Sequence, residues 1–210
     1  MTRETIAAVL ALVSAAWLPG CAVQHAAGHH RAATAQSGVI SDCKRVRGRT
    51  RFDGMSVEVP DSAQWCLVKR TANVMALGHL LSRRHSVAMV LTRVYPPRTR
   101  FADAQAFERY AIAGLHDERD PGEDRSDFYA QAAPDRDPWC VRFYRQSTYP
   151  GDALTPEGYG FQEAGYLCRH PDDRQTFLRF AYSERYPASS KVHGFMARAT
   201  RHLKAMRFSR

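Results

Sequence analysis

A turn and two cysteines constrain this chain more than any other feature. Between the strand-like runs WCVRFYRQSTY (139–149) and YGFQEAGYLCRH (159–170) lies PGDALTPEG, a stretch of turn-forming residues centred on Leu154. A hairpin folded about Leu154 sets opposite one another residues equally distant from it, and Cys140 and Cys168 are each fourteen residues away. Facing residues on neighbouring antiparallel strands have the ~4.4–6.8 Å Cα separation that a disulfide needs. Turn composition and cysteine positions therefore predict one hairpin independently. The run QTFLRFAYSERY (175–186), which follows the turn residues PDDR, extends it to an antiparallel meander.

Upstream, MSVEVP (55–60) alternates and ends in proline, as a strand does. WCLVKRTANVMALGHLL and HSVAMVLTRVYPP read as two further strands, with Ser82-Arg83-Arg84 near the turn. After Pro96-Pro97 the period changes. Ala104, Phe107, Ala111 and Leu115 recur at helical spacing, and Asp103 and Glu108 sit towards the positive end of the helix dipole. The acidic loop DPGEDRS ends this helix, and DFYAQAAP adds an edge strand. In SSKVHGFMARATRHLKAMRF (189–208), Val192, Phe195, Met196, Ala199, Leu203 and Met206 share one arc of the helical wheel. Lys191, Arg198, Arg201, Lys204 and Arg207 occupy the other side, and Ser189 or Ser190 is placed to cap the start. The expected fold is α+β: a mostly antiparallel sheet of about six or seven strands, packed by an internal helix and a C-terminal amphipathic helix. The stretch from MSVEVPDSAQW to the helix at Phe101 is similar in element order to the PsbP-like α/β sandwich, a resemblance that carries no functional residue across.

The N-terminus suggests a destination. Ile6 to Trp17 is an apolar run too short to span a ~30 Å hydrocarbon core comfortably, and it follows a short polar start containing Arg3. It leads into Leu18-Pro19-Gly20-Cys21, which resembles the lipobox of bacterial lipoproteins. The resemblance implies a signal peptide over 1–20, acylation of Cys21, and attachment to a membrane of the cell envelope. Ala22 after the cysteine implies the outer membrane, with the domain facing the periplasm. Residues 21–39 read as a flexible tether, small and polar throughout, and 40–210 as one globular domain. Of the five cysteines, removing Cys21 leaves an even set, as expected of disulfides in an exported protein. With Cys140 paired to Cys168, elimination pairs Cys43 with Cys66; a link from Cys43 to Cys140 or Cys168 would contradict this.

The chain has 30 basic and 21 acidic residues, a net charge of +9, which favours anionic partners. Nucleic acid is not among those expected, because the chain carries an export signal and no nucleic-acid-binding motif. There is no Gly-x-Ser-x-Gly elbow, His-Glu-x-x-His zinc helix or Gly-rich phosphate loop. His116 among Asp117, Glu118 and Asp120 reads as a solvated helix end rather than a general base. No catalytic residue, cofactor or metal is expected. Tyrosine and arginine dominate binding hot spots, and both crowd the meander, so the candidate binding surface is Arg142, Tyr144, Arg145, Arg179, Tyr182 and Arg185. The function expected is non-enzymatic binding of an envelope protein or anionic ligand, an inhibitor or immunity role being one version. The alternative is an enzyme or small-ligand carrier with a pocket between sheet and helices.

Overall fold

The computed structural model describes residues 44–59, 64–82, 84–96, 100–151 and 156–208. The signal, Cys21, the tether and Cys43 lie outside the described residues. In chain order the strands are β1 (Lys44–Arg45), β2 (Gly48–Phe52), β3 (Met55–Val59), β4 (Cys66–Arg70), β5 (Val74–Ser82) and β6 (His85–Val94). Helix α1 (Ala104–Asp117) follows, then β7 (Asp124–Ala132), β8 (Cys140–Tyr149), β9 (Tyr159–Arg169) and β10 (Phe177–Pro187). Helix α2 (Phe195–Ala205) and β11 (Met206–Phe208) complete the fold. Eight strands form one antiparallel sheet, ordered β1-β4-β5-β6-β10-β9-β8-β7, and three form a second, ordered β11-β3-β2.

Because side chains alternate along a strand, the large sheet carries two cores. On one face Met75, Leu77, Met89, Leu91, Ala164, Phe180 and Tyr182 pack with Met55 and Val57 of the small sheet and Phe195, Ala199 and Leu203 of α2. On the other, Val141, Phe143, Leu167, Phe177 and Ala181 receive Phe107, Ala111 and Leu115 from α1. The helical spacing read from the sequence thus places the buried face of α1. Asp103 caps it, its Oδ1 accepting from the Ala106 amide at 2.7 Å.

The meander keeps the register implied by the turn. Cys140 faces Cys168, their Cα atoms 4.1 Å apart, and the two are joined as a disulfide. Cys66 is also disulfide-bonded.

Several elements differ from expectation. The run 65–81 is not one strand but the hairpin β4–β5. Polar Thr71-Ala72-Asn73 breaks it, the Thr71 hydroxyl accepting from the amides of Asn73 (3.2 Å) and Val74 (3.1 Å). Helix α2 begins at Phe195, after Gly194 in the left-handed conformation (φ 72°), so neither Ser189 nor Ser190 caps it. Met196 is 52 % exposed rather than core, and Met206 opens a strand instead of ending the helix. With β1, β2 and β11 added, the sheets hold eight and three strands rather than six or seven in one.

Candidate partner-binding face

The residues singled out on the meander do not share one surface. Arg145, Arg179 and Arg185 project from the α1 side, and Arg142, Tyr144 and Tyr182 from the α2 side, as alternation across registered strands requires. Arg145 is 6 % exposed and its Nε lies 2.8 Å from Glu163 Oε2. Arg179 bridges Glu163 (2.9 Å) and both oxygens of Glu118 (2.7 Å each). Burial alone would lower both guanidinium pKa values. The carboxylates of Glu163 and Glu118 outweigh it and hold both arginines charged. This is an interior ion network that fixes the end of α1 to the sheet. Arg185 lies over the Tyr159 ring, 3.6 Å from its centroid. Tyr182 is 1 % exposed beneath α2, stacked on His202 at 4.9 Å. Of the set, Arg142 and Tyr144 remain together and partly exposed.

Around these two the α2 side of the sheet builds a continuous polar and aromatic strip. At the β7 edge, exposed Tyr129 stands opposite Tyr144, and Gln131 stands opposite Arg142. Hydrogen bonding assigns the Gln131 amide oxygen to the side that faces Arg142 Nε, at 3.0 Å. The Tyr144 hydroxyl donates to Gln146 Oε1 at 2.9 Å, and Gln162 Nε2 donates to the same oxygen at 3.1 Å. Gln162 also hydrogen-bonds Tyr186, leaving its buried Oε1 without a partner among the described residues. Burial pushes up the hydroxyl pKa values of Tyr144 and Tyr186, so both stay protonated donors at neutral pH.

The strip ends in a cleft of about 430 Å³ at the start of α2, lined by residues that include Leu81, His85, Tyr186, Lys191, His193 and Arg198. Glu184 lies beneath it with its side chain fully buried. It accepts from Tyr182 (2.8 Å), Arg198 Nε (2.6 Å) and Nη2 (2.9 Å), and His85 Nε2 (3.3 Å). Burial would raise the Glu184 pKa, but hydrogen bonds from Arg198 and Tyr182 prevail and hold it low. Arg198 also donates to the His193 carbonyl at 2.8 Å, pinning the chain that leads into α2.

Sequence reasoning missed Tyr129, Gln146, Gln162, His85, Glu184 and Arg198. Edge position was the available signal for Tyr129. The others come together only through the β6–β10 pairing and the placing of α2, neither of which leaves a local trace. Among the described residues no group of three or more His, Cys, Asp or Glu could hold a metal ion. What the strip and cleft supply chemically is a row of hydrogen-bond donors and acceptors, two aromatic faces and an excess of cationic groups.

No family model matches the chain, nor does any curated protein sequence. Solved structures similar to it include a Mog1 glutamate-to-alanine mutant at 8 % identity, covering 80 % of this chain and 96 % of that one, with a TM-score of 0.42. Another is the Ran-binding protein Mog1p of Saccharomyces cerevisiae, at 6 % identity and a TM-score of 0.41, covering 79 % and 97 %. The described residues contain no helix long and apolar enough to cross a membrane. The lipid-anchored, outer-membrane and periplasmic placement drawn from residues 1–21 lies outside the described residues and is not carried further.

Proposed function

We propose that the domain binds a partner protein, without catalysis, through the strip that runs from Tyr129 at the β7 edge to the cleft at the start of α2. One observation carries this reading. A row of aromatic and amide side chains lies on the part of the sheet face beside α2, with Tyr129 exposed by 47 % at its β7 edge and Met196 exposed by 52 % on α2 itself. Within it, Gln162 is 8 % exposed and keeps an acceptor oxygen unpaired among the described residues. A buried, unsatisfied acceptor costs about 1–3 kcal/mol, a cost that a donor from a docked partner would relieve. Tyrosine supplies large, rigid contact area at low entropic cost, and exposed Met adapts to irregular surfaces.

The test is photo-crosslinking in cells, with benzoylphenylalanine replacing Tyr129 or Met196 and, as a control, the exposed Arg109 on the outer side of α1. A discrete crosslinked protein shared by positions 129 and 196, absent at 109 and lost when Gln162→Leu is introduced, supports the reading. Equal crosslinking at all three positions, or at 109 alone, overturns it.

A further inference from the structure

We propose that the cleft at the start of α2 receives an acidic segment of the partner protein. This rests on the binding reading above and adds the chemistry of what is bound. The cleft is lined by His85, Lys191, His193 and Arg198 together with apolar and hydroxyl side chains, and no Asp or Glu is among its lining residues. The carboxylate beneath it, Glu184, is not presented to an incoming ligand. It is fully buried and engaged by Arg198, Tyr182 and His85. Arg198 matches its charge, so Lys191, which makes no ion pair among the described residues, leaves the mouth cationic.

Gly194, at φ 72°, turns the chain into α2, and no side chain caps the helix. Arg198 holds that approach in place through the His193 carbonyl. On the flank, Leu81 is 47 % exposed and Val192 also lines the cleft, so apolar residues next to the carboxylates would find contact. Lys191, the two histidines, an apolar flank and a lining that includes no Asp or Glu among the described residues together define a receptor for Asp or Glu side chains in a peptide. The net charge of +9 steers such a segment towards the chain.

The experiment is fluorescence anisotropy on the full chain, with a labelled Glu/Leu-rich peptide as probe and Lys/Leu and Ser/Leu peptides as controls. The Glu peptide alone should bind, with affinity falling as salt rises. Lys191→Glu should weaken it about tenfold or more. Lys204→Glu makes the same charge change about 15 Å along the helix from Gly194 and should have a markedly smaller effect. Circular dichroism verifies that both variants fold. Failure of the Glu peptide to bind, or equal losses from Lys191→Glu and Lys204→Glu, overturns the acidic-segment inference. If crosslinking from positions 129 and 196 persists in that case, the binding face stands without it. If cleft-dependent peptide binding holds while that crosslinking fails, the acidic receptor stands and the wider face falls.

Discussion

At the scale of single residues, the interior charges of this domain are held by geometry that the primary sequence conceals. Glu123 illustrates it. Its fully buried carboxylate accepts from Arg125 Nε (2.9 Å) and Ser147 Oγ (2.6 Å) and from the Asp120 amide (2.9 Å). Burial would raise its pKa, but these bonds outweigh burial and bring it down to about 2. A depressed carboxylate pKa stabilises the fold at pH values above its unfolded value of 4.5 and ceases to do so as pH falls through about 2. Urea midpoints measured across that window should therefore decline with acidification, and Glu123→Gln should flatten the decline while lowering stability at neutral pH by about 3 kcal/mol. None of this was legible beforehand. DPGEDRS reads as an acidic loop that ends α1, whereas the fold turns Glu123 inward against the β8 Ser147 and leaves Asp124 exposed. Local composition cannot report which of two neighbouring acids meets an arginine.

At the scale of elements, the periodic signals translated well and the breaks less so. Helical spacing located α1 and its buried Phe107, Ala111 and Leu115, and the turn centred on Leu154 set the β8–β9 register. The failures were short elements. Two-residue β1 and three-residue β11 are too brief to show a period, and β4–β5 hid inside one apolar run. Gly165 marks how closely β9 approaches its neighbours: a Cβ there would lie 2.9 Å from the Phe143 ring and nearer still to the Phe180 carbonyl oxygen. Gly165→Ala should accordingly destabilise by about 1–3 kcal/mol. Gly114→Ala, on the exposed side of α1 with open space around its Cβ, should stabilise by about 0.5–1 kcal/mol. Paired thermal melts of the two variants give opposite signs if the strand packing is as described.

At the scale of the whole molecule, two sheets and two helices are stacked in layers, and the Cys140–Cys168 bridge closes a loop of 28 residues within the larger sheet. In the chain-entropy account a cross-link of that span contributes about 3–4 kcal/mol by restricting the unfolded chain. Cys140→Ser with Cys168→Ser should lower the unfolding free energy by about that amount and leave the far-ultraviolet dichroism of the folded state unchanged. The fold class was readable because alternation and helical period are properties of long segments. The candidate face was not, since Tyr129, Gln162 and Glu184 lie on separate strands and become neighbours only after β7, β9 and β10 assemble.

The direct passage of α2 into β11 has a mechanical consequence. Ala205 ends the helix and Met206 begins a strand paired to Val57, with no loop between them. A joint without slack behaves as a crank. The helix is about 16 Å long, so a tilt at Gly194, where the cleft opens, must be absorbed as shear in the ladder that joins Met206–Phe208 to Met55–Val57. The small sheet thus holds the far end of the lever and ties the helix that borders the cleft to Met55–Val57.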